Sequence, residues 1–328
     1  MTMITEWAPA VITSVADLTT EIREIRLKPF GGVVLYPHGS HVEVEILVGS
    51  RTETRCYSLV GLPHEGAYRI AVKYTPEGRG GSRAMWQLAS GDQISISRPK
   101  CDFMLSLDRP DYLLIAGGIG ITPLLGMGAA LKQRQASFRL VYAAKRRDDI
   151  AFAPELDQYL GASWRPALSA EGGRLDVLST LESLHPDGEA YVCGPISLLD
   201  AVKAAWAQLG RPLERLRFES FASSGHFSSV PFQIELPRID LRIDVGSQET
   251  MIDALMRSGI DVMSDCLRGE CGLCALPVLR ATGPIDHRDV FLSDTERHED
   301  SRICACVSRV AGGTIVIDDG YRERHDIL

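Results

Sequence analysis

Cys266-Leu-Arg-Gly-Glu-Cys271-Gly-Leu-Cys274, with Cys306 further along, is the stretch on which the rest of the chain turns. Its C-x4-C-x2-C…C frame is the ligand spacing of a plant-type [2Fe–2S] cluster. Four thiolates must converge on two irons, and three of them come from one short loop. Gly269 and Gly272 lie inside that loop, where a missing Cβ permits φ > 0 and close backbone approach. The fourth ligand comes from a distant strand, and Cys304 and Cys306 are both candidates, since alternate residues of a strand face one side. A structural zinc site would pair two short C-x2–4-C units; the second half here is Cys304-Ala-Cys306, a poor knuckle.

The rest of the composition is that of a reducing, globular, multidomain protein. At 328 residues the chain is too long for one ordinary domain, and 45% hydrophobic with 24% charged residues is a folded composition. No apolar run is long enough for a membrane span. The first ten residues carry Glu6 and no base, unlike a secretory signal. Eight cysteines, four in a cluster frame, suit the cytoplasm better than a disulfide scaffold. Net charge is −8. Between Val230 and Leu328, eighteen Asp and Glu against eleven Arg and no Lys leave −7 there. Nucleic acid is thereby disfavoured as a partner; a basic patch on a redox partner and simple solubility account for the acidity about equally well.

Three segments follow from the rhythm of the sequence. Residues 1–107 carry short strand-like runs, among them Ala10–Val15, Glu24–Leu27, His41–Val48, Tyr68–Tyr74 and Gln93–Ser97, with a helix over Ser82–Leu88. That pattern predicts a small antiparallel barrel. Residues 108–226 alternate strand and helix: Tyr112–Ala116, a helix over Pro123–Gln133, Phe138–Ala143, Ala190–Cys193, a helix over Ser197–Gln208. A Rossmann-like parallel sheet is expected. Ala222–Pro231 is a Ser/Gly-rich linker. Residues 227–328 then give strands Phe232–Leu236 and Leu241–Val245, and a helix capped by Thr250 and Asp253 with Ile252, Leu255 and Met256 on its apolar face. Strand, strand, helix, cluster loop, strand is the order of a β-grasp.

Two more constellations carry chemistry. Ala116-Gly-Gly-Ile-Gly-Ile-Thr-Pro123 directly follows an apolar strand. Gly117, Gly118 and Gly120 allow a pyrophosphate close to the helix start, and Pro123 is read as position N1 of that helix, where no N–H is needed. Cys193, Gly194 and Pro195 end a later strand of the same sheet. Both loops then sit where open sheets bind ligands, with Thr122 and Cys193 beside a nicotinamide. In the barrel segment, Arg55-Cys-Tyr-Ser58 precedes Gly78-Arg-Gly-Gly-Ser-Arg83, whose Gly80, Gly81 and Ser82 can cradle a phosphate with backbone amides. The R-x-Y-S unit resembles that of ferredoxin-reductase-type flavoproteins. There the Arg meets the flavin phosphate, the Tyr covers the ring, and the Ser hydroxyl lies near the redox-active nitrogen.

These motifs, with Phe218-Glu-Ser-Phe221, Asp286-His-Arg-Asp289 and Cys306-Val-Ser-Arg309, occur in an order similar to that of the phthalate dioxygenase reductase family, over nearly the whole chain. The resemblance implies an FMN barrel, an NADH domain and a C-terminal [2Fe–2S] ferredoxin that pass electrons to a separate Rieske-type oxygenase docking on the acidic ferredoxin domain. By position it assigns Arg55, Cys56, Tyr57 and Ser58 to FMN, Gly80, Gly81 and Ser82 to its phosphate, and Phe221 to the flavin ring. Ser58, Thr122 and Cys193 fall nearest the reacting rings, and Cys306 becomes the fourth iron ligand. It favours NADH, although Lys145-Arg-Arg147 stands where a 2′-phosphate of NADPH would lie. Two features depart from relatives: Ala275–Ile285 is about two residues longer, and Glu270 replaces a small or apolar residue. A carboxylate turned toward the sulfurs would lower the cluster potential. A monomer is expected. A stand-alone flavin reductase and a non-catalytic redox sensor are the rival functions.

Overall fold

The computed structural model describes residues 6–61, 66–76, 78–221 and 227–318. It falls into two compact units, residues 1–219 and 220–328.

The first unit opens with seven strands: β1 (Trp7–Asp17), β2 (Ile22–Pro29), β3 (Ser40–Val48), β4 (Arg51–Ser58), β5 (Tyr68–Lys73), β6 (Gln93–Ser97) and β7 (Lys100–Cys101), with helix α1 (Gly81–Gln87) before β6. They form one antiparallel sheet in the order β4-β3-β6-β1-β2-β5, with β7 beside β3. A Leu59–Ile70 bridge and the Val60 N–H donating to the Arg69 carbonyl (2.8 Å) bring the chain after β4 against β5. Alternation along the strands turns Ile12, Ile25, Leu27, Val42, Val44, Ile70 and Ile96 into one buried interior. The barrel expected from the short strand runs is therefore present.

The parallel sheet shares this unit. Its strands are β8 (Tyr112–Gly117), β9 (Phe138–Ala144), β10 (Trp164–Leu168), β11 (Glu189–Gly194) and β12 (Leu216–Ser220), in the order β10-β9-β8-β11-β12. Helices α2 (Ile121–Gln133), α3 (Ala153–Tyr159), α4 (Val177–Glu182) and α5 (Ile196–Gln208) connect them. Strands β8 and β11 are buried along their whole length, as strands covered on both faces must be. The order reverses between β8 and β11, so the loops after these two strands flank the crevice at their carboxyl ends. Helix α2 begins two residues before Pro123, after a 3₁₀ turn over Gly118–Gly120. Pro123 is thus the third helical residue and not N1, a position that also leaves no intrahelical N–H unmade.

The second unit holds β13 (Phe232–Leu236), β14 (Leu241–Val245), α6 (Met251–Arg257), β15 (Ala275–Ala281), β16 (Ile285–Asp286), α7 (Asp294–His298), β17 (Arg302–Cys304), β18 (Arg309–Val310) and β19 (Thr314–Ile317). The main sheet runs β14-β13-β19-β15-β17, a β-grasp with α6 laid across it. Thr250 caps α6 in a reciprocal box with Asp253. Met251, Ile252, Ala254 and Leu255 are buried, but Met256 is 57% exposed. At 100° per residue Met256 lies about 140° from Met251 and about 160° from Ala254, past the edge of the buried face, so its assignment to the apolar face does not hold. The first five residues of the expected linker, Ala222–His226, lie outside the described residues. Its far end is tied down: Arg288 donates to Phe227 O (3.3 Å) and Ser229 Oγ (3.1 Å), and Arg309 to Val230 O (3.1 Å). No helix among the described residues is long and apolar enough to cross a membrane.

Replacing Thr250 by Ala removes the α6 cap and is expected to cost about 1 kcal/mol. Urea unfolding followed by loss of the second unit's visible absorption measures it.

Candidate functional site

The cysteine loop is built by backbone approach. The Cys266 sulfur accepts three N–H groups, from Arg268, Glu270 and Cys271, each at 3.4 Å. Gly269 and Gly272 have φ of 76° and 73°. A Cβ on Gly269 would stand 2.8 Å from Asp289 Cα, and one on Gly272 would stand 2.2 Å from the Phe291 ring. The loop therefore has no room for side chains where it packs against the segment from Asp289 to Phe291. Cys271 is exposed, Cys266 half-buried and Cys274 buried.

Cys304 ends β17 opposite Ala275, whereas Cys306 lies in the turn beyond, not on a strand. The Cys306 sulfur meets the Gly269 N–H and lies near both Cys266 and Cys274. Cys304 faces Cys274 and the Asp289 carboxylate; its bond to Cys274 and its burial push its thiol up, as they do that of Cys306. The two neighbouring thiols hold Cys274 at about 3, as a thiolate. Sulfurs approached by N–H groups suit iron-bound thiolates. Among the described residues no three His, Cys, Asp or Glu side chains gather as the ligands of one ion would; a two-iron cluster spreads its thiolates in two pairs. Glu270 turns its carboxylate to Arg268 (3.1 Å) and to the Ser220 N–H (3.4 Å), so its charge is paired.

The flavin-type residues lie on β4 and its continuation. Arg55 packs over Gly81, where a Cβ would stand 2.6 Å from Nε, and its guanidinium pairs with Glu53. Arginine, glycine turn and Gly80 (φ 85°) thus converge as a phosphate cradle would. Ser82 Oγ is engaged by Thr75 N–H at 3.0 Å and holds the turn. Cys56 is a half-buried thiol, outside any disulfide, opposite Glu43 across the sheet. Burial pushes the Tyr57 phenol up, keeping it neutral. Ser58 Oγ donates to the buried Glu219 carboxylate at 3.3 Å. Glu219 was not singled out from the sequence, although it sits within Phe218-Glu-Ser-Phe221; only folding brings residues 161 apart together. Phe221 follows β12 and is half-buried.

At the sheet crevice two loops interlock. A Cβ on Gly120 would stand 2.1 Å from the Cys193 carbonyl, and one on Gly117 would stand 2.7 Å from Pro195. Gly194 packs on Gly117 in turn. Gly118 (φ 54°) faces open space, leaving room for a ligand. Thr122, Pro123 and Cys193 are buried, with Thr122 Oγ donating to the Ile119 carbonyl at 3.0 Å. Lys145, Arg146 and Arg147 follow β9 on the surface; the Arg147 N–H donates to the Glu171 carboxylate at 3.1 Å.

Known proteins share this arrangement. Residues 235–311 match the 2Fe-2S iron-sulfur cluster binding domain and residues 114–204 the oxidoreductase NAD-binding domain. The heme-dependent oxidative N-demethylase beta subunit of Ectopseudomonas mendocina is 36% identical over 94% of this chain and 97% of its own. The vanillate O-demethylase oxidoreductase of Acinetobacter baylyi is 33% identical over 94% and 98%. The solved structure of phthalate dioxygenase reductase, described as modular for electron transfer from pyridine nucleotides to [2Fe-2S], superposes with a TM-score of 0.74. It is 29% identical and covers 95% of this chain and 98% of that one.

Gly120→Ala is expected to force apart the loops after β8 and β11, costing ~1–3 kcal/mol in overpacking and weakening NADH binding at least tenfold. Fluorescence titration with NADH measures the affinity.

Proposed function

The chain belongs to the phthalate dioxygenase reductase family, and from that membership we propose that it takes a hydride from NADH and delivers single electrons to a separate oxygenase. The loop of amides closed on the Cys266 sulfur carries this reading, because a nest of N–H groups around a thiolate serves iron–sulfur chemistry. Bound FMN and a [2Fe–2S] cluster would supply the conversion of a two-electron donor into one-electron steps.

The protein's own residues bind and orient. Arg55 and the Gly80–Ser82 turn would hold the FMN phosphate, with Cys56 beneath, Tyr57 and Phe221 against the ring and Ser58 at its reacting edge. Glu219 keeps the Ser58 hydroxyl donating in one direction. Gly117, Gly118 and Gly120, with Gly194 and Pro195, would take the nucleotide pyrophosphate, and Thr122, Pro123 and Cys193 would border the nicotinamide. The Glu171 carboxylate beside Arg147 opposes a 2′-phosphate and supports NADH over NADPH. Cys266, Cys271, Cys274 and Cys306 would hold the irons. Both thiols meet Cys274, but Cys306 is preferred because it also takes the Gly269 N–H and lies near Cys266, while Cys304 has the Asp289 carboxylate beside it.

The three functional domains would be residues 1–107, 108–226 and 227–328. A Rieske-type oxygenase would dock on the acidic third domain, where exposed Cys271 lies between exposed Leu267 and Leu273. The relatives are named for demethylases of more than one kind, one of them heme-dependent, so the identity of the partner is not fixed by the family. Eight cysteines outside disulfides fit a reducing, cytoplasmic setting, and the protein is proposed to act as a monomer.

Cys306→Ser is expected to abolish the cluster's visible absorption and cytochrome c reduction while NADH still bleaches the flavin. Loss of the cluster in Cys304→Ser, with Cys306→Ser intact, would reverse the ligand assignment. Absence of iron and acid-labile sulfide from protein purified without air would overturn the function itself.

A further inference from the structure

Flavin-side loop and nucleotide-side helix meet at a seam inside the first unit. Gly61, three residues past Ser58, lays its carbonyl against Gly126, one turn past Thr122. A Cβ at position 126 would stand 2.8 Å from that oxygen. Behind Gly61 lies Arg69 Nη1, 3.2 Å from where a Cβ of Gly61 would be. Arg69 is buried in β5, and its carbonyl accepts the Val60 N–H at 2.8 Å.

The Arg69 guanidinium reaches across the seam. Its Nη2 donates to Glu24 Oε2 of β2 and to Glu155 Oε1 of α3, both at 2.6 Å. Nη1 donates to Glu155 Oε2 at 3.1 Å, completing a two-pronged grip on that carboxylate. The same guanidinium lies 5.7 Å from the ring of Phe152. Phe152 precedes α3 with φ 60°, a left-handed conformation that a large side chain adopts only when its surroundings impose it. One side chain therefore joins β2, β5, the chain after Ser58 and the start of α3.

A buried ion pair adds little net stability, since desolvation offsets most of the attraction. What a planar fork does fix is distance and orientation. Neither Arg69 nor Glu155 belongs to a cofactor motif, so their placement is not explained by ligand binding.

We infer that the Arg69–Glu155 pair is a positioning device that sets α3, and with it α2, whose Gly128 lies against Leu160 at the end of α3, against the flavin-side loop, and thereby the rate of hydride transfer, without touching either cofactor. The inference rests on the NADH-to-flavin reading above. Its leverage is geometric: a misplacement of ~1 Å between reacting groups can cost ~100-fold in rate.

Glu155→Ala in the full-length, cofactor-loaded protein tests it, because Arg69 keeps Glu24 and no buried charge is left unpaired. The limiting rate of flavin reduction at saturating NADH is expected to fall ~10-fold or more, with NADH affinity within about threefold and FMN content unchanged. Glu155→Gln, which keeps an acceptor for Arg69, should recover most of that rate. Hydrogen exchange at Val60 and over Ile121–Met127 should quicken ~10-fold in Glu155→Ala. Gly126→Ala wedges the same seam from the other side and should give the same split between rate and affinity. The inference is overturned if Glu155→Ala and Gly126→Ala both reduce flavin within about twofold of the unaltered protein, or if exchange at the seam is unchanged. Failure of the unaltered protein to reduce flavin with NADH sinks the functional reading instead, and the exchange measurement still decides the seam.

Discussion

Close packing onto glycine, nearer than any Cβ permits, is the constraint that the sites of this protein share. Gly120 rests on the Cys193 carbonyl, Gly126 on that of Gly61, Gly81 on the Arg55 side chain and Gly269 on the Asp289 backbone. In each case the glycine stands where two elements pack closely beside a candidate site. Substitution there does not merely subtract a contact. It pushes two elements apart, and the ligand geometry between them goes with it.

Charge is handled differently in the two units. In the first, buried ionic groups are balanced within the fold: Arg69 with Glu24 and Glu155, and Arg217 with the fully buried Glu189. Such pairs serve geometry more than stability. In the second unit the negative charge is mostly on the surface, while the buried members, Asp286 and Asp289, are spent on internal bonds. Asp286 holds Arg288, which grips the incoming chain at Phe227 and Ser229. Asp289 accepts the Ser308 hydroxyl and the Leu292 N–H behind the cysteine loop, and against its burial it is kept ionised first by His287, then by the Leu292 N–H, Arg297 and Ser308. The Asp286-His-Arg-Asp289 motif is thus a scaffold for the loop and for the chain's entry into the domain.

The family relationship and this geometry agree on a division of labour. A rigid pairing of barrel and parallel sheet suits hydride transfer, which tolerates little displacement. An acidic, separately folded unit carrying an exposed cysteine suits a partner met by diffusion, for which long-range charge matters more than close fit.

How much of this was legible in sequence follows from the range of the interactions involved. Local spacing determined the cysteine frame, the glycine turn after β8, the Thr250–Asp253 cap and the strand alternation of the barrel, because each is settled within a few residues. The start of α2 and the outward turn of Met256 were misjudged by a residue or two, since element ends and faces depend on what packs against them. Only tertiary structure brought Glu219 to Ser58, turned Glu270 toward Arg268, set Cys306 toward the loop and Cys304 toward Asp289, and joined Arg69 to Glu155. Those pairings link residues that different strands and helices carry. A side chain's partner across a fold is fixed by how layers stack, and no pattern along the chain records it.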